Sequence, residues 1–145
     1  MIRQMRLDDY DSVYALWLSC RGIGLNSVDD SRVGIARYLA RNPNTCFVAE
    51  EEGKILGVIM AGHDGRRGYI YHAAVSPDAR GAGTGRQLAG AALDALRTEG
   101  ISKAALVAFT SNEEGNAFWE KLGFEARHDL TYRSRALVEM VRQDT

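Results

Sequence analysis

The segment Val75-Ser76-Pro77-Asp78-Ala79-Arg80-Gly81-Ala82-Gly83-Thr84-Gly85-Arg86-Gln87-Leu88 carries the strongest chemical signal in the chain. Gly81, Gly83 and Gly85 alternate between a predicted strand and a predicted helix. Glycine lacks a Cβ, so its backbone admits a ligand at close range. The first turn of a helix has N–H groups without intrahelical acceptors and a partial positive charge. Arg80 and Arg86 add full charges beside it. Phosphate or pyrophosphate fits such a cradle. A plain glycine-rich turn with solvated arginines is the competing reading.

Two familiar phosphate motifs do not fit. A dinucleotide fingerprint through Gly81 and Gly83 needs glycine where Arg86 stands, and a long stretch of chain precedes this strand. A P-loop needs Gly-Lys-Ser/Thr, whereas Gly53-Lys54 is followed by Ile55 in a predicted hairpin.

The elements that must position this loop follow from the pattern of apolar residues. Ile2 to Met5 is a short first strand. Asp8 or Asp9 starts a helix through about Cys20, with Val13, Leu16, Trp17 and Cys20 on one face. Arg21 to Asp30 is an irregular loop. Asp30 or Ser31 caps a second helix carrying Ile35, Ala36 and Leu39 inward, which ends at Asn42-Pro43-Asn44. Cys46 to Glu50 and Lys54 to His63 form a hairpin around Glu51-Glu52-Gly53. Tyr69 to Val75 is the fourth strand, Gly83 to about Glu99 a helix stopped by Gly100, and Ala104 to Phe109 a buried strand. That strand–helix–strand unit predicts parallel pairing of strands four and five. Glu113 to Leu122 is a short helix, and Phe124 to Leu130 and Arg135 to Val141 are the expected last two strands. The predicted fold class is α/β: a mixed sheet in the order β-α-α-β-β-β-α-β-α-β-β with helices on both faces, in a single domain over 1–145.

Composition narrows the function. The chain has 145 residues, 46% hydrophobic and 26% charged, and a net charge of −1. That balance suits a folded globular domain and disfavours nucleic acid as the main partner, because a polyanion binder carries a basic excess. Cys20 and Cys46 are too few for a disulfide scaffold and read as buried thiols. The N-terminus lacks a signal-peptide core, and no apolar run approaches the roughly 20 residues that span a bilayer. A reducing cytoplasm and no membrane partner are the expectations. His63, His72 and His128 form no ligand motif, so no metal is expected.

Arg80-Gly81-Ala82-Gly83-Thr84-Gly85, preceded by Ala74-Val75-Ser76-Pro77, resembles the R/Q-x-x-G-x-G/A motif of the Gcn5-related N-acetyltransferases. Asn112-Glu113-Glu114-Gly115-Asn116-Ala117-Phe118-Trp119-Glu120-Lys121-Leu122-Gly123-Phe124 is similar to that family's Asn-started helix ending in Leu-Gly-Phe, at the fitting distance. Asp64-Gly65-Arg66-Arg67-Gly68 is similar to a branch of small bacterial members of poorly defined substrate. The resemblance implies acetyl-CoA as acyl donor, an amine acceptor and direct attack in a ternary complex. It implies that Arg80, Gly81, Ala82, Gly83, Thr84, Gly85 and Arg86 hold the pyrophosphate. Ala74 and Val75 then present backbone groups to the pantetheine arm, and Asn112 contacts that arm. Strands four and five should splay apart to admit it. Dimers are common in the family, so a homodimer is a further expectation.

Trp119 departs from the pattern. Many members have a Tyr there that protonates the departing thiolate, and indole N–H has no usable acidity. Tyr69 occupies a position where some members have a Glu that accepts the amine proton. Tyr69, Tyr71, Trp119 and Tyr132 are therefore weak catalytic candidates, with His72 and Glu113 beside them as weak bases. These departures also leave open an acyl-CoA-binding regulatory module with little or no catalysis.

Overall fold

The apolar stretch in the middle of the chain becomes the central strand of a five-stranded sheet. The computed structural model describes residues 1–144 and leaves Thr145, the last residue of the expected domain, outside. The strands are β1 (Ile2–Gln4), β2 (Phe47–Glu51), β3 (Lys54–His63), β4 (Gly68–Val75) and β5 (Ala104–Leu106), ordered β1-β2-β3-β4-β5. The helices are α1 (Tyr10–Leu18), α2 (Arg32–Arg41), α3 (Thr84–Thr98) and α4 (Glu113–Lys121). All neighbours are antiparallel except β4 and β5, which pair in parallel across α3. The parallel pair follows from the crossover helix, which returns the chain to the same end of the sheet.

Side chains along β3 alternate between two cores, as a pleated strand requires. Val58 and Met60 join Val13, Leu16 and Trp17 of α1 and Ile35 and Leu39 of α2. Ile59 and Ala61 join Leu88, Ala92 and Leu96 of α3. Both faces of the sheet are thus covered, with α1 and α2 on one side and α3 on the other. Trp119, Leu122 and Phe124, in and after α4, pack on the edge of the α3 side. No helix among the described residues is long and apolar enough to cross a membrane.

The expected last two strands do not form. Neither Phe124 to Leu130 nor Arg135 to Val141 joins the sheet, and Leu130, Tyr132, Leu137 and Val138 are exposed. The physical reason lies at both partners. β5 is three residues long and offers almost no ladder. Arg127 and Asp129 satisfy each other locally at 2.8 and 2.9 Å. The chain end is claimed instead by the loop before α2: Ser27 donates its N–H to Val141 O, Gln143 donates to Leu25 O, and Asp144 accepts from the amides of Gly24 and Leu25.

Near the N-terminus, Arg3 ties β1 to β2 and to the turn leading into α1. Its guanidinium donates to Asp9 at 2.8 and 2.9 Å and to Glu50 at 2.9 Å. Burial alone would raise the Asp9 pKa. Hydrogen bonds from Arg3 and from the Arg6 amide outweigh burial and hold it below the ordinary value. A depressed carboxylate stabilises the fold above its unfolded pKa of about 3.9 and loses that contribution as pH falls through the folded value. We expect the urea midpoint to fall as pH drops below about 4, and Asp9→Asn to flatten that fall. At pH 7 the variant should cost about 1–3 kcal/mol, because Arg3 keeps a half-satisfied guanidinium. An unchanged urea midpoint at pH 7 would show the pair to be passive.

Candidate active site

The ladder between β4 and β5 is short. Gly68, Tyr69 and Ile70 of β4 pair with Ala104, Ala105 and Leu106, and the pairing ends there. β4 continues to Val75, still paired on its other edge through Val75 and Gly57. From Tyr71 onward its β5 side therefore has no strand partner. The family resemblance implies a splay of strands four and five, and the ladder between them does end early, at Ile70 and Leu106.

The freed stretch is also bulged. Val58 pairs with Ala74 and Met60 with Tyr71, so His72 and Ala73 stand against Ile59 alone. His72 has φ +47°, a left-handed conformation rare for a residue with a side chain. Two carbonyls of this stretch are claimed by side chains. Trp17 Nε1 donates to His72 O at 3.0 Å, and Arg80 Nε donates to Val75 O at 3.1 Å.

Beyond Val75, a 3-10 turn (Pro77–Ala79) leads into the glycine loop. The three glycines turn out to serve different ends. Gly81 and Gly83 have φ +88° and +85°, and a Cβ on either would meet nothing within 4 Å. They are glycine because the backbone is left-handed, and their outer side is open. Gly85 is helical, and a Cβ there would press on Phe118 at 3.3 Å, so it is glycine to let α4 approach α3. Gly83 is the N-cap of α3 and supplies no side-chain cap, and the first turn carries no acidic residue. The amides at the start of α3 thus have neither an intrahelical acceptor nor a protein anion, which is the condition for binding an external one. Arg86 is exposed on that turn, whereas Arg80 lies back along β4 with Nη2 3.6 Å from Cys20 Sγ.

Asn112 is the N-cap of α4, accepting from Gly115 N at 3.0 Å. Its carboxamide oxygen is therefore engaged, and its Nδ2 has no partner among the described residues.

The weak catalytic candidates divide between the two sides of the sheet. Tyr69 and Tyr71 stack at 4.6 Å, Tyr38 of α2 meets Tyr71 edge-on at 5.8 Å, and Tyr132 comes near both Tyr69 and Tyr71. Burial, then Tyr132, raises the pKa of Tyr69 and Tyr71, so both phenols are neutral at pH 7 and neither is a base. Glu113 is exposed in the first turn of α4. Trp119 is on the far side, edge-on to Phe118 at 4.9 Å and to Phe124 at 5.3 Å. Cys46 is buried, and burial pushes its thiol up to about 12, so it is no nucleophile.

Sequence reasoning missed the hydrogen-bond pair of His72 and Asp30, at 2.7 Å between Nε2 and Oδ1. Asp30 and Ser31 were equal candidates for capping α2. Ser31 takes the cap, accepting from Gly34 N at 3.0 Å, which leaves Asp30 for other partners.

The profile of the Acetyltransferase (GNAT) family matches residues 10–124. An acetyltransferase of Photorhabdus laumondii is 35% identical over 140 residues, covering 95% of this chain and 96% of the relative. The chain belongs to the GNAT acetyltransferase family. The fold is similar to Ard1 from Thermoplasma volcanium, with a TM-score of 0.74 at 23% identity over 85% of this chain and 80% of that one. It is also similar to a predicted acetyltransferase from Clostridium acetobutylicum solved with acetyl-CoA, with a TM-score of 0.71 at 19% identity over 92% and 95%.

The packing of Trp119 generates a prediction. Its indole is half-buried between two aromatic rings, so Trp119→Ala should cost about 2–3 kcal/mol, below the range for a fully buried indole. Trp119→Tyr retains both ring contacts and should cost about 1 kcal/mol. Urea unfolding of the two variants checks this. Equal stability of Trp119→Ala and the parent would mean that the ring does not hold α4 in place.

Proposed function

We propose that this protein is an N-acetyltransferase that moves the acetyl group of acetyl-CoA to a primary amine of a small molecule or peptide. One observation carries the reading: the unpaired edge of β4 leads directly into an uncapped helix N-terminus behind two left-handed glycines. A pantetheine arm is a chain of amides and needs an extended backbone partner, and a pyrophosphate needs clustered N–H donors. Ala74 and Val75 supply the first. Gly81, Ala82, Gly83, Thr84, Gly85 and Arg86 supply the second. Arg80 adds charge at the mouth, and Asn112 Nδ2 reaches the arm from α4. Related folds solved with acetyl-CoA or CoA support the same donor.

The acceptor amine approaches from the side of α1 and α2, where Tyr69, Tyr71 and Tyr132 gather. Attack on the thioester carbonyl makes a C–N bond and then breaks the C–S bond. A backbone N–H near Val75 stabilises the oxyanion. Trp119 gives the departing sulfur no acid. A thiol pKa of about 8.5 makes the thiolate a tolerable leaving group near neutral pH. The same lack supports a second reading, an acyl-CoA-binding module with little turnover. Thiol release from acetyl-CoA across a panel of polyamines, amino acids and short peptides decides between them. Turnover with one class of amine establishes the enzyme, and binding without turnover establishes the module.

Gly83→Asn probes the cradle. Asn tolerates left-handed backbone, so the fold should persist, while its side chain fills the open side of the loop. Acetyl-CoA affinity by calorimetry should fall at least about tenfold, or about 1.4 kcal/mol. Pantetheine, which lacks the pyrophosphate, should bind the variant as it binds the parent. Equal losses for the two ligands would move the phosphate site elsewhere.

A further inference from the structure

Between α1 and the bulge of β4 the weak base candidate His72 forms a part-buried pair with Asp30. His72 and Asp30 have side chains only 15% and 3% exposed, and Nε2 lies 2.7 Å from Oδ1. The other Asp30 oxygen accepts the Asn26 amide at 2.8 Å. With Asp30 ionised, Nε2 carries the proton and donates it, so Nδ1 is the basic nitrogen. No described residue hydrogen-bonds to Nδ1.

The surroundings hold this arrangement against a cost. His72 sits at φ +47°, a left-handed conformation that is strained for a residue with a side chain. Three contacts fix it there: Trp17 Nε1 on its carbonyl, the Trp17 ring edge-on at 5.1 Å, and Asp30 on its imidazole. An unstrained strand would point this side chain to the opposite face. The bulge instead aims both Tyr71 and His72 toward α1 and α2, at the point where β4 loses β5. The pair of His63 and Glu99 makes the contrast, because it joins the far end of β3 to the end of α3 without left-handed backbone at the histidine.

We propose that His72 is the general base of the transfer and that Asp30 is its positioning residue. This rests on the transferase reading above. The acceptor enters as an ammonium ion. His72 Nδ1 takes one proton, and Asp30 stabilises the imidazolium. The neutral amine then attacks the thioester carbonyl, forming the C–N bond. The C–S bond breaks, and the sulfur leaves as thiolate. The second amine proton passes to the thiolate through water, and His72 returns its proton to solvent.

The titratable groups facing His72 are Asp30, from the lead-in to α2, and Tyr71, its neighbour in β4. Tyr71 is neutral at pH 7, and Trp17 from α1 carries no charge. Asp30 is the charged group in hydrogen-bond contact with the ring; Asp29 lies close enough to raise the Tyr71 pKa, and Tyr10 donates its hydroxyl to Asp30 O.

The test uses the full chain and whichever panel amine gives the fastest thiol release. Asn accepts left-handed backbone, so His72→Asn keeps the bulge while removing the base. At pH 7 its kcat/KM should fall about 10²–10⁴-fold, with acetyl-CoA affinity by calorimetry unchanged. The loss should shrink as pH approaches the pKa of the amine, because the acceptor then arrives already neutral. Asp30→Asn should shift the pH profile of kcat/KM rather than abolish turnover. Parent-like kcat/KM in His72→Asn at pH 7, or a loss equal at every pH, overturns the proposal. A parent protein that binds acetyl-CoA but acetylates no amine overturns the transferase reading and this one with it. A parent that fails to bind acetyl-CoA overturns the donor.

Discussion

β4 outruns β5, and the active-site half of the molecule follows from that mismatch. A strand edge presents N–H and C=O groups that must find partners. In this chain the ladder stops at Ile70 and Leu106, while β4 goes on to Val75. Trp17 and Arg80 satisfy the carbonyls of His72 and Val75. Two of the acceptors of this stretch are thus taken by side chains. The bulge opposite Ile59 belongs to the same device, since it turns His72 out of the strand's alternation at the end of the pairing.

The two layers of the molecule divide the work. Behind the sheet, α3 presents its open N-terminus, and Gly85 lets Phe118 bring α4 close. On the other side, α1 and α2 supply Trp17, Tyr38 and the Asp30 carboxylate. In the function proposed above, the donor is assigned to the layer of α3 and α4 and the acceptor to the layer of α1 and α2. The loop before α2 is braced by the chain end through Asp144, so the acceptor side depends on residues far apart in sequence.

Much of this was legible from residue patterns. The almost unbroken apolar run of β3, the glycine after α3 and the strand–helix–strand spacing located the sheet and its parallel pair. Gly81 and Gly83 marked the turn into α3, whose first amides stand without a side-chain cap. Three things were not legible. Gly83 and Gly85 look alike in the sequence, yet one serves a left-handed backbone and the other a helix contact. The last two strands, expected at Phe124 to Leu130 and Arg135 to Val141, do not form, because sequence alone cannot say whether a partner edge is long enough to receive them, and β5 is three residues. The pair of His72 and Asp30 depends on a one-residue bulge and on Ser31 winning the helix cap. Both are decided by tertiary packing.

The most direct measurement is a crystal structure with acetyl-CoA bound. The account predicts the pantetheine arm in the gap between β4 and β5, along Ala74 and Val75, with the pyrophosphate on the amides at the start of α3 and the acetyl group beside the β4 bulge. A cofactor seated elsewhere, with that gap closed by protein, would contradict it.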